Sequence, residues 1–266
     1  MRIRVLVLAI LSALFSFSMA NAADISFGNI SESEFKDIIE EFGAGYSHVA
    51  VSGASSLGTI FGFEVGLIAG GSKSDSIDKL SKEIDASSEF DTLPHAALFG
   101  AVTFPFGITG EINFLPEIKN SDVEFKTGSF AVKWTPTDLW EMPVEMAVKL
   151  HAASSEVSWS QTISSQNASV DYEQSVTGLL FQVSKKFVVL EPYFNIGSVK
   201  AKGKLSSSQG SVFDPSYTSS GSSEEEVTGM MVQAGLNLNL LFFRLGAEVG
   251  KVLDNEKASL KASFYF

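Results

Sequence analysis

The chain has no cysteine among its 266 residues. That removes any disulfide framework and any thiolate metal site. Histidine is almost as scarce, with three residues, His48, His95 and His151, so imidazole chemistry has little to draw on. Long apolar runs are missing too. After residue 22 every apolar segment is interrupted by Glu, Lys, Asp, Ser or Gly well short of the roughly 20 residues that a helix needs to span a bilayer. Positive charge is in deficit, with 19 Lys and Arg against 31 Asp and Glu. Phosphate binding needs clustered positive charge, so no nucleic-acid partner is expected.

What is present begins with an export pattern. Arg2 and Arg4 precede an apolar stretch from Val5 to Met19 and a small-x-small site at Ala20-Asn21-Ala22, which predicts a cleaved signal peptide over residues 1–22. Removing it takes two arginines and no acid, deepening the net charge from −12 to −14. Residues 23–57 form a second unit. Ser31 and Glu34 have capping-box spacing, and Phe35, Ile38, Ile39 and Phe42 recur at helical spacing. Gly43 can end the helix. Its outer face carries Glu32, Asp37, Glu40 and Glu41. A passage rich in Gly, Ser and Ala, "GAGYSHVAVSGASS", then serves as a connector.

From residue 58 to residue 266 the period is two. Ten segments carry it, at about 58–69, 93–104, 107–115, 123–135, 143–154, 170–184, 187–200, 226–238, 242–252 and 256–266. Most have about the 9–11 residues of a tilted membrane-crossing strand. The second, fourth, sixth and eighth connections are short, whereas the first (70–92), fifth (155–169) and seventh (201–225) are long. Such alternation predicts an all-β fold, an antiparallel up-and-down barrel of about ten strands, with eight to twelve possible, one turn face and one loop face. Both chain ends are expected on the turn face. Phe104, Phe106, Trp134, Trp140, Phe187, Phe242, Phe243, Phe264 and Phe266 gather near the turns, where an interfacial girdle belongs.

Strand faces follow from the alternation. In "VEMAVKLHA" Val144, Met146, Val148 and Leu150 oppose Glu145, Lys149 and His151. A soluble barrel would bury the apolar set. The export pattern and the girdle reverse this, setting apolar residues toward lipid and polar ones toward a lumen. The ending "LKASFYF" resembles the terminal strand of Gram-negative outer-membrane β-barrels. The order of helix, "FGAGYSHVAVSGASSLGTIFGFEVGL", "LPHAALFGAVTFPFG" and "GSFAVKWTPTDLWEMPVEMAV" is similar to an uncharacterised outer-membrane family of unknown function. The resemblance implies an outer-membrane location, surrounding lipid and lipopolysaccharide, and recognition of Leu260, Phe264 and Phe266 by the barrel-assembly machinery.

The expected lumen residues are Glu64, Glu111, Lys133, Glu145, Lys149, Glu191, Arg244, Glu248, Lys257 and Lys261. They can select a small solute by charge or fill a narrow barrel as a paired network. The helix can stopper the lumen or rest beneath it. In the lumen its acidic face would meet Lys133, Lys149, Lys257 or Lys261, and its apolar face a patch such as Phe99 or Leu180. These features predict a narrow channel or transport barrel for small solutes plugged or gated by the helix, with a structural or surface-interaction barrel without flux as the alternative. A hydrolase is disfavoured, since His151 and Ser154 fall on opposite strand faces and His95 stands beside a strand start. No cofactor is expected. The acidic stretches, Asp75, Asp78, Glu83, Asp85, Glu89 and Asp91 and then Glu224, Glu225 and Glu226, read as solvated loop or as sites for cations that bridge lipopolysaccharide.

Overall fold

The computed structural model describes residues 28–84, 91–119, 123–139, 142–163 and 166–266. Ten antiparallel strands close into one barrel, each paired with its sequence neighbours and the first with the last. They are β1 (Gly62–Lys73), β2 (Thr92–Phe104), β3 (Ile108–Lys119), β4 (Val123–Trp134), β5 (Glu145–Ile163), β6 (Gln166–Ser184), β7 (Leu190–Ser207), β8 (Ser222–Leu240), β9 (Phe243–Val252) and β10 (Asn255–Tyr265). Helix α1 (Glu32–Tyr46) precedes the barrel, and helix α2 (Asp75–Ile84) lies between β1 and β2. The closing seam sets Glu64 opposite Tyr265. Below that pair the Phe63 amide donates to the Phe266 carbonyl at 2.8 Å, and the Phe266 amide donates back at 2.9 Å.

One correction to the sequence reading concerns height. The expected long connection over 155–169 is strand: β5 runs to Ile163 and β6 starts at Gln166. The alternation there never stops; it changes sides. Low in the barrel Leu150, Leu179 and Phe181 face out, 60, 51 and 44 % exposed, while Lys149 and Gln182 are buried inward. Higher on the same strands Thr177, Ser175 and Glu173 face out, and Val157, Trp159, Val170 and Tyr172 are buried inside. A short polar side chain such as Ser reads as loop until the reversal is seen. Apolar outward and polar inward is the arrangement for lipid; the reverse is the arrangement for water. The molecule is a membrane-spanning β-barrel whose β5–β8 wall rises above the apolar band.

The turn end carries the aromatic girdle. Phe104, Phe106, Trp134, Phe187, Phe242, Phe264 and Phe266 are exposed there, joined by Phe61 and Phe63, and Phe243 is half-buried. Trp140 lies outside the described residues.

Helix α1 begins with the expected capping box. Ser31 Oγ accepts from the Glu34 amide at 3.3 Å, and Glu34 Oε2 accepts from the Ser31 amide at 2.9 Å. Phe35, Ile38, Ile39 and Phe42 are buried against the inner face of the tall wall. Phe35 meets Phe213 at 5.5 Å between ring centroids, and Phe42 meets Tyr172 at 4.9 Å. The start of the chain, residues 1–27, lies outside the described residues, and the first placed residues stand at the other end from the turns. The Ile30 amide donates to Val212 O and the Asp214 amide to Ile30 O, both at 2.9 Å, so residue 30 lies at the loop end, opposite Phe266. The apolar stripe of α1 finds an apolar inner wall only above the band, which draws the helix to that end and away from the turn face.

Candidate functional site in the barrel lumen

Below α1, residues 47–57 descend through the lumen without regular secondary structure. Backbone at membrane depth must still satisfy its polar groups, and here the barrel's inner side chains do so. Lys257 Nζ donates to Ala44 O at 2.6 Å, Gly45 O at 3.0 Å and Ser47 Oγ at 3.1 Å. Asn113 Nδ2 donates to Val49 O at 2.5 Å and Gln182 Nε2 to Ser52 O at 3.3 Å. Lys133 Nζ donates to Gly53 O at 3.0 Å and Ser55 O at 2.9 Å, and Thr135 Oγ1 to Ala54 O at 2.6 Å. The Leu57 amide ends the run by donating to Thr103 Oγ1 at 3.1 Å. Gly53 is required by space: a Cβ there would stand 2.7 Å from Ser184 Cβ.

The expected lumen charges turn inward, and nine of the ten are buried. Glu64 pairs with Arg244 at 2.8 Å and Lys261 at 2.9 Å, and Lys261 also sits 4.8 Å from the Phe99 ring centroid. Glu111 pairs with Lys149 at 2.7 Å and stands 3.8 Å from Lys133. Glu191 accepts from Ser184 Oγ at 2.9 Å. Glu248 takes neutral donors, Tyr193 Oη at 3.0 Å and Gln233 Nε2 at 2.9 Å. The exception is Glu145, which stands half-buried at the turn end and accepts from Thr137 Oγ1 at 2.7 Å. The uncharged residues Tyr193, Gln182 and Gln233 share the inward parity of the charged set and take part in the lumen's hydrogen bonding.

His48 belongs to the lumen segment and bridges two strands. Its Nδ1 lies 2.9 Å from Ser129 Oγ and its Nε2 3.1 Å from Glu111 Oε2. The file of hydroxyl, imidazole and carboxylate resembles a nucleophile relay in order, yet both Glu111 oxygens also face lysines. Its evident effect is to pin residue 48 to the wall. Two cavities in the lumen are small. A cavity lined by Ser52, Glu64, Phe99, Glu111 and Arg244 and another lined by His48, Lys149 and Glu248 measure about 10 Å³ each, close to the minimum for one water.

The acidic face of α1 does not meet the lumen lysines. Lys36 pairs with Glu32 on α1 itself. Glu41 reaches sideways to the first turn of α2, accepting from the Ser76 and Ile77 amides at 2.6 and 2.9 Å, where the helix dipole favours a carboxylate. Burial raises the Glu41 carboxyl above its ordinary value, and those two bonds oppose the rise. Of the two expected apolar partners, Leu180 joins the core around α1, whereas Phe99 packs under Val49, Ala50 and Val51. The acidic stretch 224–226 is strand, not loop: Glu224 pairs with Lys202 at 2.9 Å and Glu226 with Lys200 at 2.7 Å on the outer face. Among the described residues no group of three potential ligands is placed to hold a metal ion; Asp85 and Glu89 lie outside them.

A closed ten-stranded membrane barrel whose lumen is filled by its own N-terminal segment is the class these features define. Within it the chain belongs to the Family of unknown function (DUF6588), which matches residues 11–251. No curated protein sequence matches it. Among solved structures it is similar to Ail, the attachment invasion locus protein of Yersinia pestis, solved with the heparin analogue sucrose octasulfate, at 14 % identity and TM-score 0.38 over 77 % of this chain and 97 % of that one. A TodX mutant, a monoaromatic hydrocarbon channel, matches at 6 % identity and TM-score 0.34 over 82 % and 73 %. A mutant of Rh. blastica porin matches at 8 % identity and TM-score 0.21 over 78 % and 100 %.

Proposed function

We propose that this protein is an outer-membrane β-barrel of a Gram-negative bacterium that passes small solutes when residues 47–57 shift from the lumen. The observation that carries the reading is how that segment is held. Lys133 grips the Gly53 and Ser55 carbonyls, Lys257 holds the top of the segment through Ser47 Oγ and the last-turn carbonyls of α1 just above it, and the segment itself is mostly Ser, Ala, Gly and Val. A lumen meant only to be filled is better filled by apolar side chains, since buried ion pairs add little net stability over them. Cations and carboxylates lining the wall are useful once water enters, where they select by charge. Export through a signal within residues 1–22 fits this location. So does recognition of β10 by the assembly machinery, supported by Leu260 and Phe264, which face outward beside the exposed Phe266.

The test is conductance in a planar bilayer for the whole protein and for the double variant Lys133→Met, Lys257→Met. The expected outcome is a largely closed parent and a variant with frequent open events. Silence from both, with heat-modifiable folding intact, would overturn the channel and favour the second reading, a surface-interaction barrel without flux. The feature favouring that reading is the β5–β8 wall standing above the band.

A further inference from the structure

The barrel wall has a side opening that the lumen does not explain. The β2–β3 ladder ends where Leu98 faces Phe114, although β2 continues to Thr92 along β1 and β3 to Lys119 along β4. Carried on, that register would set Ala96 against Pro116 and Pro94 against Ile118. Proline has no amide to give a ladder, and β3 is bulged at the same place, between Leu115 and Ile118. The two strands therefore part just above the apolar band, whose last outward residues on this seam, Leu98 and Phe114, are exposed.

Tyr46, from the last turn of α1, crosses the parting. Its hydroxyl donates to Pro94 O at 3.4 Å, and its ring packs on Phe125 of β4 at 4.7 Å between centroids. Behind it lies a cavity of about 30 Å³ lined by Tyr46, Ile68, Ala97 and Leu115 together with His95 and Asn113. The polar atoms there are unevenly used. His95 Nε2 is bonded to Ser259 Oγ at 3.0 Å, and Asn113 Nδ2 to Val49 O at 2.5 Å. His95 Nδ1 and Asn113 Oδ1 are buried without a partner. A buried acceptor left unpaired is costly, and here Asn113 Oδ1 is one, with the unpartnered His95 Nδ1 in the same cavity behind a single ring.

We infer that the β2–β3 parting is a lateral binding site for a small amphipathic molecule from the outer leaflet, with an apolar body and one hydrogen-bond donor. The apolar body lies against Ile68, Ala97 and Leu115, the donor meets Asn113 Oδ1, and Tyr46 swings aside to admit it. The site goes beyond the lumen reading and stands whether or not the lumen conducts.

The absence of native cysteine allows a clean test. Proteoliposomes of phosphatidylcholine carrying the full chain are titrated with 1-naphthol, and binding is followed by its fluorescence. 1-Methoxynaphthalene, which has no donor, is the control ligand. Naphthol is expected to bind at least about tenfold more tightly, in line with the cost of leaving a buried acceptor unpaired. In an Ala97→Cys, Leu115→Cys variant, whose side chains face across the parting, oxidation is expected to abolish binding and reduction to restore it. If the pair does not oxidise, Leu115→Trp fills the same cavity and is expected to abolish binding in a heat-modifiable, folded barrel. Equal binding of the two naphthalenes, or naphthol binding unaffected by the disulfide or the tryptophan, would overturn the site. Conductance of the same preparations is read separately, so a silent lumen with intact naphthol binding counts only against the channel.

Discussion

Glu64 shows what a buried charge does in this barrel. It accepts from Ser263 Oγ at 2.5 Å and pairs with both Arg244 and Lys261, so three strands meet at one carboxylate. Removing one partner of a buried cluster costs more than the cluster is worth, because the remaining charges stay desolvated; about 3–5 kcal/mol is typical. Glu64→Ala is expected to lose about that much in urea unfolding of the refolded barrel. Glu156→Ala removes an exposed pair with Lys126 at 3.6 Å and is expected to change stability by less than about 1 kcal/mol. If the two variants unfold together, the lumen charges are hydrated and the packed network does not exist. Inward parity made these charges legible in the sequence. Their partners were not, because pairing Glu64 with Arg244 requires the β1–β10 closure, which joins residues far apart in the chain.

The elements were legible to the extent that their pattern is local. The strands near the turns stand close to where period two put them, and α1 begins just after Ser31 because its cap and stripe are set by residues close in sequence. Burial of α1 against β5–β8 was legible only in part: Leu180 lies on an expected strand, whereas Val157, Trp159, Leu205 and Phe213 of the same core lie in what looked like loop, and the β2–β3 parting depends on Pro94 and Pro116 from separate strands. The cap gives a pH prediction. The hydrogen bonds from Ser31 hold the Glu34 carboxyl below its ordinary value. A carboxyl lowered in the folded state stabilises above the ordinary carboxylate range, and that stabilisation is lost as pH falls through the folded value. Ser31→Ala is expected to weaken α1 by about 1 kcal/mol near neutrality, read as faster amide exchange in residues 32–38. The difference from the parent should shrink in acid, when Glu34 is protonated in both. A difference that grew on acidification would contradict the capping account.

At the scale of the whole molecule, the reversal of faces divides the barrel into two solvents. Strands β5, β6 and β8 are each 19 residues long, about 60 Å along the strand. An outer-membrane apolar band is only about 25 Å tall, so these strands must leave it. On β6 the departure falls between Leu179 and Thr177, where the outward side chains turn polar and the inward ones turn apolar. Above that line the inner face of the wall, α1 and Phe213 form a core of the kind soluble proteins have, and below it the lumen holds the charges. Two outward substitutions on one strand test the boundary. Phe181→Arg, within the band, is expected to cost about 2–4 kcal/mol, as a cation on the lipid face does near mid-bilayer. Ser175→Arg, above it on the same face, is expected to cost less than about 1 kcal/mol. Unfolding in lipid vesicles measures both, and in a detergent micelle the gap between them should narrow, because a micelle lets water reach Phe181. Equal costs in vesicles would mean that the wall is embedded along its whole height, and the core around α1 would then need a different solvent from the one its side chains describe.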